Sequence, residues 1–454
     1  MKSALLSPGP IPRYAYPEIP CRELPSGLHL LCLEDPYLPL IAVQVAWPRG
    51  SAHDPDAYQG LSPLTAEMLR EGTASRSARE IATWMDRLAM EFEVDVQPEA
   101  TFLTLVVLEP HLEAGLELLA DLVMHPSFPE LELERVKSRW RSLLKAQRAE
   151  PGFLAAEALI QALFPGHPYG RAAIPIETLD RISPADMRQL AHQWPVPGTL
   201  LGWAGRIAAD QAEELAQRHF QDWRLRPGEV PDLPPVPASR GRQVYLVDRP
   251  GSVQARLALG RRGPAIRDPE YLSLKLTNQA FGGGASSRLF LNLREQKGLT
   301  YGIYSVLQGY QQAGLLMVSA SVRASGAAVG IAEILGEMER LREDPPSDQE
   351  LERSRAELAG GFLRRLETPG SISSLELSRR LAGLPLEFYS RYVERLAEVD
   401  RVQTGELAAR WFKPDDWSIV AVGDRRELEA QLAPLGELRL LRAGESRLEP
   451  WESE

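Results

Sequence analysis

Short segments of this sequence recur at a fixed distance, and that recurrence limits the folds open to it more than any other feature. Glu132-Leu-Glu-Arg135 returns as Glu350-Leu-Glu-Arg353, Pro151–Gly152 as Pro369–Gly370, and Gly205 as Gly423, each 218 residues later. Asp54–Pro55 returns as Asp268–Pro269 after 214 residues. One such match arises by chance. Several at one spacing, with strand and helix patterns in the same order, mark an internal duplication. Residues 224–241 (RLRPGEVPDLPPVPASRG) separate the copies. Their five prolines, three arginines and two glycines exclude regular structure and predict an extended, semi-rigid linker. The chain then divides into a proline-rich arm (1–20), a first domain (21–223), the linker (224–241) and a second domain (242–454). Strands precede and follow long helices within each half. The expected class is therefore α+β: two homologous domains, each an antiparallel-rich sheet with helices packed on one face.

Local patterns fill in this plan. Residues 27–47 read as two strands joined by a turn at Glu34–Tyr37. Leu61, Leu64, Met68 and Leu69 make one face of a helix over Leu61–Glu71. Ser77-x-x-Glu80 is a capping box ahead of Ile81, Trp84, Met85 and Leu88, which recur at helical spacing. Ser127-x-x-Glu130 and Ser347-x-x-Glu350 read as matching boxes, the first opening a helix that Pro151–Gly152 ends. Trp84, Trp140 and Trp203 fall on core faces, and Glu337 to Asp344 reads as a solvated helix end.

Charge and composition exclude several functions. Lys and Arg total 51 against 62 acidic residues, a net charge of −11, which disfavours nucleic acid or an anionic membrane as partner. Two cysteines, Cys21 and Cys32, cannot frame a chain of 454 residues with disulfides, and reduced thiols fit a cytosolic protein. The N-terminus offers an apolar run of three residues before Ser7, where a secretory signal needs about 7–15. No run of about 18 apolar residues spans a membrane. The expected location is cytoplasmic, or periplasmic if a signal peptide has been removed.

Motif chemistry is sparse. All seven histidines lie in the first half and no two are three to five residues apart, so His-x-x-Glu-His and its inverse are missing. There is no Gly-x-Ser-x-Gly elbow, and no Gly-Lys-Ser/Thr follows the triple glycine. The most marked stretch is Phe281–Ser305, FGGGASSRLFLNLREQKGLTYGIYS. Gly282, Gly283 and Gly284 permit positive φ and close backbone approach. Ser286 or Ser287 can cap a helix in which Leu289, Phe290 and Leu293 form one stripe, and Gly298 reads as its C′ residue. Leu299, Tyr301 and Ile303 then alternate as a strand. This packing would bring Arg294 near Tyr301. On pattern alone it is a structural corner with a surface Arg and a core Tyr, in which Arg288 ties the glycine loop to a carboxylate.

From about Arg22 to Leu432 the chain resembles the pitrilysin/insulinase family of zinc metallopeptidases, which includes the mitochondrial processing peptidase. LPSGLHLL, RGSAHDP, GTASRSAREIATWMDRLA, HPYGR and the stretch from Phe281 carry the resemblance in family order. It implies two homologous domains forming a clamshell around a peptide. Family register, anchored at Met68–Thr73, places the zinc motif on Pro63-Leu-Thr-Ala-Glu67. Pro63 and Glu67 then replace the metal-binding histidines, Ala66 replaces the general base, and Leu143 stands at the third ligand. Arg294 and Tyr301 match an Arg and a Tyr seven residues apart in the family's non-catalytic half, which contact the substrate backbone. The resemblance thus implies a non-catalytic subunit of a heteromeric zinc metallopeptidase. It has no cofactor of its own and binds peptide with Arg294 and Tyr301. Its partner is a zinc-bearing homologous subunit, and a homodimer in isolation is compatible. The rival readings are a structural scaffold, a peptide-binding protein without a partner, and an enzyme with a metal site built from Glu67, Glu71 and a distant His.

Overall fold

The computed structural model describes residues 14–226, 228–444 and 447–451. Most of the expected arm (1–13), Pro227 of the linker, and residues 445–446 and 452–454 lie outside the described residues. Runs of alternating apolar residues form two sheets. The first contains β1 (Cys21–Glu23), β2 (His29–Glu34), β3 (Leu40–Trp47), β4 (Glu91–Val96), β5 (Thr101–Leu108) and β6 (Leu200–Gly205), in the order β1-β2-β6-β3-β5-β4. The second contains β7 (Val244–Asp248), β8 (Gln254–Gly263), β9 (Thr300–Gly309), β10 (Gly314–Arg323), β11 (Ser418–Gly423), β12 (Leu438–Ala443) and β13 (Leu448–Pro450), in the order β13-β12-β7-β11-β8-β10-β9. The segments β2-β6-β3-β5-β4 and β7-β11-β8-β10-β9 have one topology. β2 pairs with β6, and β7 with β11, in parallel, while the remaining pairs of each segment are antiparallel. The duplication read from spacing is a duplication of this five-strand plan. Residues 27–47 do give two strands, but β6 lies between them, so they are not a hairpin.

The first half contributes α1 (Leu61–Met68), α2 (Ala78–Arg87), α3 (Leu112–Met124), α4 (Glu130–Ala149), α5 (Pro151–Leu163), α6 (Ile176–Arg181), α7 (Pro184–His192) and α8 (Ala209–Phe220). The second contributes, among others, α9 (Tyr271–Asn278), α10 (Ala327–Glu343), α11 (Asp348–Arg364) and α12 (Pro369–Leu381). Ser77 and Ser347 form the expected capping boxes with Glu80 and Glu350. The box at Ser127 does not form: α4 starts after Pro129 without a side-chain cap. Phe128 takes a positive φ of 51°, which turns Ser127 away from the helix start. Pro151–Gly152 does more than end α4. Pro151 is also the first residue of α5, and Pro369 the first of α12, positions where a missing N–H costs nothing.

Those two helices change the expected layering. Ile41, Val43, Val45, Leu103, Leu105 and Trp203 face the first half's own helices in one core. Leu31, Ala46 and Leu200 point the other way and pack against Leu377 of α12, from the second half. In exchange Leu154, Ala158 and Leu159 of α5 pack with Ala258, Val420 and Val422 of the second sheet. Each sheet therefore has its own helices on one face and a helix of the other half on the second. Glycines allow the close approach. A Cβ on Gly202 of β6 would stand 2.7 Å from Ser373 Oγ and 2.8 Å from Leu377 Cδ1, and one on Gly260 of β8 would stand 2.8 Å from Leu159 Cδ2. The linker has no helix or strand among its described residues and is held by both halves, through His167 Nε2 at 2.8 Å from Pro234 O and Gln312 Nε2 donating to Leu233 O at 3.0 Å. The Tyr14 hydroxyl donates to Tyr389 O at 2.6 Å, so the described end of the arm lies on the second half.

Candidate functional site

The helix that carries Pro63, Ala66 and Glu67 is α1. Its start is fixed by Asp54, whose carboxylate accepts from Gly60 N and Ser62 N at 3.2 and 3.1 Å and from the Ser62 hydroxyl at 2.5 Å. Burial outweighs these bonds and pushes the Asp54 carboxyl up to about 6. α4 runs beside α1. Arg135 pairs with Glu71, and Arg139 pairs with Glu67. The Trp140 indole donates to Glu67 Oε2 at 2.5 Å, and Arg70 lies 3.7 Å from Glu67 Oε1. Rungs 71–135 and 67–139 define an antiparallel register whose next rung is Pro63 with Leu143. Leu143 is exposed at 56%, and Ala66 is buried.

Zinc does not fit these residues. Pro63, Ala66 and Leu143 have no donor for a metal, and Glu67 is already engaged by a guanidinium and an indole N–H. Glu71 is likewise held by Arg135, and among the described residues no group of three or more His, Cys, Asp or Glu could hold an ion. Trp140 is half-buried in this network rather than a core residue. Trp84 is half-buried too, with Arg76 4.3 Å above its ring, and Trp203 is fully buried.

The second cluster is the glycine corner. Among its glycines only Gly298 takes a positive φ, +60°, where it ends the helix as expected. Gly282 is needed for proximity instead: a Cβ there would stand 2.6 Å from Ser305 Cβ. The serines do not cap. Ser286 Oγ donates to Glu357 Oε1 at 2.7 Å, and Ser287 Oγ is buried without a hydrogen-bond partner among the described residues. Arg288 binds Glu350 through both carboxylate oxygens, at 2.6 and 3.0 Å, the tie expected for the glycine loop. The following helix is π-helical over Phe290–Gln296, with Lys297 N donating to Asn292 O five residues back at 3.0 Å. Leu289, Phe290 and Leu293 are buried as the spacing predicts.

Tyr301 departs from expectation. On β9 and β10, Ile303 pairs with Ala320 but Thr300 with Val322, so Tyr301 and Gly302 together stand opposite Ser321. This bulge takes Tyr301 off the face it would share with Ile303: Tyr301 is 89% exposed and Ile303 fully buried. It is not a core tyrosine. β9 ends its sheet, leaving one backbone edge unpaired among the described residues. Arg294 is half-exposed, with its guanidinium 4.6 Å above the Phe290 ring and Glu295 3.6 Å from its Nε. Phe290 lies 5.9 Å from the Tyr304 ring on β9. Arg294 thus reaches β9 through Phe290 and Tyr304, and no hydrogen bond joins it to Tyr301 among the described residues. Sequence reasoning missed Arg139 and Asn292. The signal for Arg139 was the four-residue spacing of Arg135, Arg139 and Leu143. The signal for Asn292 was one amide inside the apolar run LFLNL.

Residues 31–175 match the family model for insulinase (peptidase family M16), and residues 181–358 match the model for the peptidase M16 inactive domain. The chain belongs to the M16 peptidase family. The inactive-domain match supports a non-catalytic M16-like protein. An uncharacterized zinc protease of Bacillus subtilis is 26% identical over 392 residues, covering 86% of this chain and 95% of that protein. One of Mycobacterium leprae is 26% identical over 400 residues, covering 86% and 88%. Among solved structures, a peptidase M16 inactive domain from Pseudomonas fluorescens superposes with a TM-score of 0.81 at 25% identity, covering 89% of this chain and 98% of that one. A protease from Helicobacter pylori superposes equally well, 0.81, at 18% identity, covering 90% and 100%, and shares the fold. No helix among the described residues is long and apolar enough to cross a membrane.

Proposed function

We propose that this chain is the non-catalytic, peptide-binding subunit of a heteromeric zinc metallopeptidase, whose metal is carried by a homologous partner. The observation that carries the reading is the exposed Tyr301 phenol at a bulge on the open edge of β9, in a chain whose own metal positions hold no ligand set. A buried structural tyrosine would not stand there. Arg294 offers a planar fork of N–H donors that fits peptide carbonyls, and the Tyr301 hydroxyl offers one directional hydrogen bond. No strand flanks β9 on its outer side among the described residues, and such an edge can pair with an extended chain at the groups not already taken by side chains, as Ser305 O is by Asn278 Nδ2 at 3.2 Å and Gly302 O by Thr300 Oγ1 at 2.9 Å.

The test mixes this chain with a zinc-bearing M16 homologue from the same source and follows peptide cleavage. The expected result is cleavage faster than by either protein alone, and a loss of that gain in Arg294→Ala and Tyr301→Phe. Each substitution removes a hydrogen bond worth about 1 kcal/mol, or about fivefold, and more where Arg294 meets a charged group. An unchanged rate in the mixture and in both variants refutes the reading and leaves a scaffold role.

A further inference from the structure

The π-helical turn that presents Arg294 is clamped at both ends to one element. At its start the buried Asn292 amide donates to Glu333 Oε2 at 3.2 Å and Glu337 Oε2 at 3.0 Å, both on α10. At its end Lys297 Nζ pairs with the other oxygen of Glu333. Arg340 balances the second carboxylate, donating to Glu337 from Nε at 3.0 Å. Glu337 is 6% exposed, so the run from Glu337 is not simply a solvated helix end. Asn292 also supplies the carbonyl that Lys297 N reaches five residues on, the bond that closes the π-helical turn.

Packing alone does not hold the turn on this side. Arg288, Asn292, Gln296, Lys297, Glu337 and Arg340 border an open surface groove of about 520 Å³, which leaves this side of the turn without close packing. A π turn carries more residues per turn than an α-helix, so its presence sets the angle at which Arg294 leaves the helix. A relaxed α-helical register would rotate that side chain off the Phe290 ring and away from β9.

Resting on the peptide-binding reading above, we propose that Asn292 and Glu333 are the positioning residues for Arg294. Their hydrogen bonds fix the π turn, and the π turn aims the guanidinium at the peptide. The test uses the full chain and a fluorescein-labelled unstructured peptide, with affinity read by fluorescence anisotropy. The variants are Asn292→Leu, Arg294→Ala, the double variant, and Lys297→Met, which cuts the exposed end of the clamp where misfolding is not a concern. Arg294→Ala and Asn292→Leu are each expected to weaken binding by about tenfold, and the double variant no further, because Asn292 acts through Arg294. Lys297→Met is expected to weaken it by about threefold. A loss in Asn292→Leu that adds fully to that of Arg294→Ala overturns the proposal, as does unchanged binding in Asn292→Leu or Lys297→Met. Unchanged binding in Arg294→Ala overturns the functional reading instead. The clamp is then judged by hydrogen exchange at the Lys297 amide, expected to be about tenfold faster in Asn292→Leu, and an unchanged rate removes the clamp as well.

Discussion

Leu159→Ala tests whether the two halves are one cooperative unit. Leu159 belongs to the first half by sequence, but it is fully buried in the core of the second sheet with Ala258, Val420 and Val422. Truncation at such a site costs the lost transfer energy and the cavity left behind, about 2–5 kcal/mol. The local geometry favours the upper part of that range. The strand beneath is Gly260, which has no side chain to move into the space, and Leu159 Cδ2 already lies 2.8 Å from where a Cβ would be. We expect a loss of about 3–5 kcal/mol. The assay is urea unfolding followed by tryptophan fluorescence and far-UV circular dichroism. The nine tryptophans are spread over both halves, among them the fully buried Trp203 in the first sheet and Trp417 beside the second, so the summed emission follows both. The expected outcome is one transition at lower urea by both probes, with an unchanged slope. Two separate transitions, with only one displaced, would show that α5 is a passive cover. A loss below about 1 kcal/mol would show that the exchanged helix is not part of the core.

Further outcomes follow from the same contacts. A proteolytic nick within residues 228–241 should leave the two fragments co-eluting on gel filtration, since α5 and α12 stay seated; separation without denaturant contradicts this. Gly202→Val places a branched side chain where a Cβ already stands 2.7 Å from Ser373 Oγ, and should cost about 1–3 kcal/mol in thermal or urea unfolding, whereas a neutral result means that α12 is loosely seated. Glu350 gives a pH signature. Burial pushes its carboxyl up, but the Arg288 guanidinium and the bonds from Ser347 more than reverse this and hold it at about 2. A depressed carboxylate contributes stability above its unfolded value of 4.5 and loses it as pH falls toward 2. Melting curves of wild type and Glu350→Gln should therefore differ at neutral pH and converge on acidification; parallel curves would remove Glu350 as the cause. Glu67→Gln keeps the shape of the side chain but removes its charge beside Arg139 and Trp140. It should cost about 1 kcal/mol by urea unfolding, and no measurable loss would mean that the network is a solvated surface pair.

The sequence carried the architecture because repeats and periodicity report burial. The recurring Pro–Gly pairs, the capping boxes at Ser77 and Ser347, and the apolar alternation of Thr101–Leu108 each map to an observed element. Three features were not legible. The exchange of α5 and α12 depends on which sheet a helix meets, and both are simply apolar helices in sequence. Ser127 has the spacing of a cap, yet Pro129 and the positive φ of Phe128 decide the local path. Tyr301 obeys period two up to a single inserted residue, and that bulge moves it from core to solvent.

The bulge and the π turn are the same kind of departure. Each inserts one residue into a regular element, Gly302 beside Tyr301 in the strand and the extra residue of the turn that holds Arg294. Each therefore changes the direction of one side chain without moving the element that carries it. Such insertions weaken local hydrogen bonding, and here polar contacts surround both. Thr300 Oγ1 donates to Gly302 O at 2.9 Å within the bulge, and Asn292 and Lys297 hold the turn to Glu333. Around Glu67 the backbone of α1 and α4 is α-helical, and the carboxylate is paired with Arg139 and accepts from the Trp140 indole. Irregular backbone with dedicated support is expected where side-chain direction matters, and plain charge neutralisation where it has ceased to matter. That contrast argues for testing the proposed peptide binding at β9 and not at α1.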